Sequence, residues 1–153
     1  MIIQIYSLTH PDDVRHCVEA GVDHLGVAAG DQNVPASISN ERARTLFKEV
    51  PSDHRTVALS VHSDVDRIVE YACDVQPDIL HVCADTDAVN ESALRDISRR
   101  LPKEMDLMRA IDVRDEGSVS AAIALEETCD WFLLDTVTDD VQGIGASGET
   151  HDW

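Results

Sequence analysis

WFLLDTVTDDVQGIGASGETHDW, residues 131–153, is the stretch that decides the fold of this chain. It opens on an apolar run, Trp131 to Leu134, long enough only for a buried strand. The run ends in a carboxylate, Asp135, and a polar loop carrying Gly143, Gly145 and Gly148 follows. A buried strand that delivers an acid into a glycine-rich loop is how parallel α/β proteins build sites at the carboxyl ends of their strands. An ordinary strand with a plain surface loop has the same spacing, so the rest of the chain must decide between them.

Upstream, the same unit recurs. Met1 to Tyr6 reads as a buried first strand, and Thr9-His10-Pro11-Asp12-Asp13 opens a helix, with a cap, a proline in the first turn and acids at the positive end. Asp23 to Ala28 is a second strand, and Ser39 caps the helix that follows. Thr56 to Val61 is a third, followed by Ser63 as a cap and by Val65, Ile68, Val69 and Ala72 at helical spacing. Asp78 to Cys83 and Asp106 to Ile111 are the fourth and fifth strands, with helices expected over 91–100 and 115–128. Strand and helix alternate without a hairpin signal, which demands parallel strands joined by right-handed crossovers. The similar unit lengths, and no GxGxxG after the first strand, favour a (β/α)8 barrel over an open doubly wound sheet. A barrel of that kind needs eight strands, and residues 1–153 supply six. The expectation is therefore a single partial barrel domain that stops in the loop after the sixth strand, with its first and sixth strands unpaired and able to associate with a second copy.

The 153 residues carry 30 acids against 12 bases, for a net charge of −18. A field this negative repels nucleic acid and anionic membrane. The acids are spread along the chain, which reads as solvation in a salt-rich cytoplasm rather than as an acidic interaction tail. Cys17, Cys73, Cys83 and Cys129 are scattered with no CxxC pair, so neither a zinc site nor a disulfide framework is expected. No run approaches the length of a membrane span.

The final third resembles phosphoribosylanthranilate isomerase, a tryptophan-biosynthesis enzyme. LLD at 133–135 and GASGETHDW at 145–153 fall in register with that family's LLD and GG-S/T-GKTFDW. EAGVDHLGV (19–27), DILHVCAD (78–85) and MRAIDVRD (108–115) are similar to its EAGADALGF, DAVQLHGD and IKAIRVRD. The resemblance implies a (β/α)8 barrel, and an Amadori-type isomerisation of a phosphorylated sugar amine by general acid and base without metal or cofactor. It implies Asp135 as the general acid. Tyr6 stands where the family keeps its base, a cysteine, and Ser7 follows it toward the substrate. Ala36 replaces the arginine that helps hold the anthranilate carboxylate. His81 and Cys83 stand for the family's glutamine and histidine, and Arg109 for its lysine. Cys83 reads either as a substitute base or as a small buried hydrophobe. Gly145, Ser147 and Gly148 belong to a substrate-binding loop. The family grips its phosphate in loops after strands seven and eight, so the chain alone is expected not to turn over at an enzymatic rate. A relative acting on another phosphosugar, and a non-catalytic fragment acting by association, are the alternatives.

Overall fold

In the computed structural model, which describes residues 1–136, the chain alternates strand and helix from end to end. The elements are β1 (Gln4–Ile5), α1 (Pro11–Glu19), β2 (His24–Ala28), α2 (Asn40–Phe47), β3 (Arg55–Ser60), α3 (Val65–Val75), β4 (Ile79–Val82), α4 (Glu91–Arg100), β5 (Asp106–Asp112), α5 (Gly117–Ala124) and β6 (Trp131–Asp135). The six strands form one sheet in sequential order, and every neighbouring pair is parallel.

The sheet curls. Strands four places apart in a flat sheet would lie about 19 Å apart at ~4.8 Å per step. Yet Gln4 Nε2 on β1 lies 3.8 Å from Met108 Sδ on β5. The rings of His24 on β2 and Trp131 on β6 meet edge to face at 5.4 Å. Two such side chains cannot span the flat-sheet distance, so the strands bend around a concave face. Alternation along each strand sorts the residues between the two faces. Leu25, Val27, Ala58, Leu80, Val82, Leu107 and Ile111 turn outward and share one core with Val14, Leu46, Ile68, Ala72, Leu94 and Ile97 of the helices. Val57, Ile79 and Met108, packed with Tyr6, Trp131 and Leu133, turn inward. The result is a six-strand half-barrel with its helices outside.

Four expectations are corrected. The first strand is short and not buried: Ile3 and Ile5 are 38% and 41% exposed, because β1 has only β2 beside it among the described residues. β6 likewise leaves Phe132 and Leu134 open on its outer face. The cap of α3 is Asp64, whose side chain accepts from Arg67 N, rather than Ser63; a carboxylate also favours the positive helix end. The last helix is shorter than 115–128, since its N-cap, Glu116, makes no side-chain bond and the helix buries no residue.

Candidate active site on the concave face

The carboxyl ends of β1, β4, β5 and β6 bring reactive side chains to the concave face. Asp135 closes β6 on the same side as Trp131 and Leu133, and its register partner on β5 is Asp112. Asp135 Oδ1 accepts from Thr136 N at 2.8 Å. The neighbouring Asp112 is ion-paired with Arg114, while its Oδ1 is buried without a hydrogen bond.

Across the face runs a continuous series of hydrogen bonds. His24 Nδ1 meets Gln4 Oε1 at 2.9 Å, and Gln4 Nε2 donates to the Tyr6 oxygen at 2.8 Å. Tyr6 in turn makes a short bond to His81 Nδ1, and His81 Nε2 lies 3.3 Å from Cys83 Sγ. Tyr6 can lie flat across the sheet because Gly26 is beneath it: a Cβ there would sit 2.3 Å from Tyr6 Cδ1. Gln4 and His24 were not singled out in the sequence. Their signal was the alternation that puts 4 and 6, or 81 and 83, on one face of a strand.

Burial governs the chemistry of this chain of groups. Tyr6's phenol is pushed up, first by burial and then by the neighbouring Cys83 sulfur, so the phenolate that a base would require is disfavoured. His81, 2% exposed, is held neutral with its pKa down to about 3, by burial and then by Arg109. Burial lifts the Cys83 thiol to about 12, against a downward pull from Arg109 and with an upward push from Asp135.

Arg109 does not share this cleft. It alternates with Leu107 and Ile111 on the outer face of β5, and its guanidinium donates to the carbonyls of Val82 (3.2 Å) and Ala84 (2.7 Å) and to Thr86 Oγ1 (3.4 Å). There it floors an outer cavity of about 610 Å³ that reaches Asp85, Asp112 and Ser118. Ser7 is exposed just past β1, with a left-handed backbone at φ 66°. Gly145, Ser147 and Gly148 lie outside the described residues. Among the described residues no group of His, Cys, Asp or Glu is arranged to hold a metal ion, and no helix is long and apolar enough to cross a membrane.

No family model matches the chain. Individual proteins do. It is 29% identical over 152 residues to the N-(5'-phosphoribosyl)anthranilate isomerase of Haloferax volcanii, covering 99% of this chain. It is also 29% identical, over 151 residues, to that of Methanothrix thermoacetophila, again covering 99% of this chain and 67% of the relative. The crystal structure of phosphoribosyl anthranilate isomerase from Thermotoga maritima superposes with a TM-score of 0.74 at 25% identity, covering 96% of this chain and 67% of that one. Along nearly its whole length the chain is similar to phosphoribosylanthranilate isomerases. It spans 64% of the length of the Haloferax protein. One structural neighbour in the family, with a TM-score of 0.72, holds reduced 1-(o-carboxyphenylamino)-1-deoxyribulose 5-phosphate.

Proposed function

We propose that this chain carries the acid–base centre for isomerising N-(5'-phosphoribosyl)anthranilate to its 1-deoxyribulose 5-phosphate product, with Asp135 as the general acid. The observation that carries the reading is the placement of Asp135. It ends β6 on the concave face of a half-barrel that superposes on an isomerase of this reaction. A carboxylic acid there can protonate the ribose ring oxygen. The C1–O bond then breaks as the anilino nitrogen's lone pair forms the C1=N bond, giving an open-chain iminium. Removal of the C2 proton and re-protonation at C1 complete the shift from aldose to ketose. Acid and base must differ in protonation state, and a carboxyl beside a buried, neutral set of phenol, imidazole and thiol gives that asymmetry.

Substrate contacts are assigned to the glycine-bearing segment with Gly145, Ser147 and Gly148, and phosphate capture to further βα units placed against the edges that β1 and β6 leave open among the described residues. Without them the substrate loses remote binding energy that orients the sugar, which lowers turnover as well as affinity. The net charge of −18 fits a salt-rich cytoplasm and a small-molecule substrate, not nucleic acid.

The test follows the loss of phosphoribosylanthranilate fluorescence in molar KCl. The samples are the chain itself and a chimera carrying the last third of the Haloferax relative. The chimera is expected to turn over and the chain alone to be slow. Asp135→Asn should lower the rate ~10²–10⁴-fold in either background. Equal rates with and without the Asp135 carboxyl would refute the assignment. A second reading, a relative acting on another phosphosugar, is favoured by one observation: the residue at the family's base position, Tyr6, is half-buried and bonded to His81. A chimera that binds phosphosugars but leaves phosphoribosylanthranilate unchanged would favour it.

A further inference from the structure

The isomerisation needs a base at the sugar's C2, and Tyr6 is poorly suited to be one. The hydrogen-bonded series that engages it, however, ends on a thiol. We propose that Cys83 is the base of this chain, and that Tyr6 and His81 are positioning residues that hold its sulfur ready. This rests on the isomerase reading above.

The directions of the bonds carry the assignment. An amide nitrogen only donates, so the Tyr6 oxygen accepts from Gln4 and its proton goes to its other partner, His81 Nδ1. His81 therefore keeps its hydrogen on Nε2, which faces Cys83 Sγ at 3.3 Å. The sulfur is the acceptor in that contact. A thiolate formed there receives a charge-assisted bond, and the thiol's own proton passes to the Asp135 carboxylate, which thereby becomes the acid. Had the imidazole the other tautomer, the thiol would donate to it and its proton would be tied down.

Position agrees. Cys83 lies at the carboxyl end of β4 on the concave face, packed with Val61 and Ala110. Ala110, against which Cys83 packs, is paired in register with Leu133, two residues before Asp135 on the same face of β6. Arg109, from the far side of the sheet, grips the carbonyls of Val82 and Ala84, on either side of Cys83, and favours the anion. Burial of the thiol opposes its ionisation. The iminium of the ring-opened substrate adds a full positive charge, which favours a thiolate opposite it.

The step balances. Sγ⁻ takes the hydrogen from C2, the C2–H electron pair becomes the C1=C2 bond, and the C1=N pair returns to nitrogen as a lone pair. Thiolate and iminium charges vanish together, leaving a thiol and a neutral enolamine. The thiol then returns the proton to C1 while the C2 hydroxyl gives its proton to the Asp135 carboxylate, which regenerates acid, thiolate and ketone product.

The experiment uses the full chain in molar KCl, in excess over phosphoribosylanthranilate, so that one slow turnover is visible. Cys83→Ser keeps the approximate size and a contact to His81, but its hydroxyl does not ionise at accessible pH. It should slow conversion at least ~10²-fold, the usual loss for a positioned base. The exposed Cys73→Ser should not change it. Conversion by the unaltered chain should rise with pH into the alkaline range. Tyr6→Phe keeps the ring over Gly26 and removes only the hydroxyl. It should displace that rising limb to higher pH and, by ¹⁵N resonances of the histidine rings, abolish the fixed Nε2–H tautomer of His81. Undiminished conversion by Cys83→Ser and Cys83→Ala, with the unaltered chain active, overturns the base while leaving the isomerase reading intact. A tautomer and pH limb indifferent to Tyr6→Phe overturn the positioning role. Should the unaltered chain convert nothing above the buffer rate, the same variants are read in the chimera with the last third of the Haloferax relative: undiminished turnover by Cys83→Ser there overturns the base, and its loss upholds it.

Discussion

The middle of the half-barrel and its two ends are built from the same kinds of residue and behave differently. Ile79 on β4 has no exposed surface, while Ile5 on β1 is 41% exposed. Leu80 is fully buried and Leu134, on β6, is 47% exposed. Helix α3, between central strands, is capped by Asp64 and buries Ile68, Val69, Tyr71, Ala72 and Val75. Helix α5 has no side-chain cap and leaves Val119 and Ile123 open to solvent. Neighbours, not residue type, decide how much an apolar side chain contributes. The site draws on both regimes: Cys83 and His81 come from the buried middle, Tyr6 and Asp135 from the strands at the ends.

The largest expected effect follows directly. Leu80→Ala should destabilise the chain by about 2–5 kcal/mol, as buried leucines do, whereas Ile5→Ala should change stability by less than about 1 kcal/mol. Denaturant unfolding in high salt measures both, and similar losses would erase the distinction between middle and end. Next is Gly26→Ala, which drives a methyl into the Tyr6 ring. Overpacking of that kind typically costs about 1–3 kcal/mol, and here it should also break the Tyr6–His81 bond. A variant of unchanged stability with its His81 resonances unmoved would show that the ring is free to shift aside. Smaller again is the contrast between caps. Asp64→Ala should cost about 1 kcal/mol, and Glu116→Ala a few tenths at most.

The gentlest lever is pH. His81 has its pKa lowered from 6.5 to about 3 in the folded chain. Between those values the unfolded chain binds a proton that the folded chain refuses. The stability His81 contributes is thus whole above the unfolded value and is lost as pH falls through that window. His81→Gln should therefore give a shallower loss of stability on acidification. An unchanged slope would mean that other groups govern acid unfolding.

Much of this was legible in the sequence, for physical reasons. The βα alternation gave six parallel strands, because runs such as Ile79–Val82 and Trp131–Leu134 are too short for helices and have no hairpin turn between them. Asp135 at a strand end was readable as a residue of the carboxyl-end rim. The facing of Arg109 was not. β5 is buried on both sides, so the alternation of Leu107, Arg109 and Ile111 against Met108 and Ala110 carries no polar signal for which set turns inward. The exposure of β1 and β6 was hidden for a related reason: a sequence records that a strand is apolar, not whether another element lies over it. The partner of Tyr6 was out of reach as well, since His81 lies 75 residues away and only the curl of the sheet brings them together.

The most direct test of a reactive concave face is a titration of ¹⁵N-labelled chain with reduced 1-(o-carboxyphenylamino)-1-deoxyribulose 5-phosphate, followed residue by residue. Resonances of Tyr6, His81, Cys83 and Asp135 should move together, while those of Thr86 and Ser118, around the outer cavity, stay in place. Movement confined to the outer cavity, with His81 unchanged, would contradict the account.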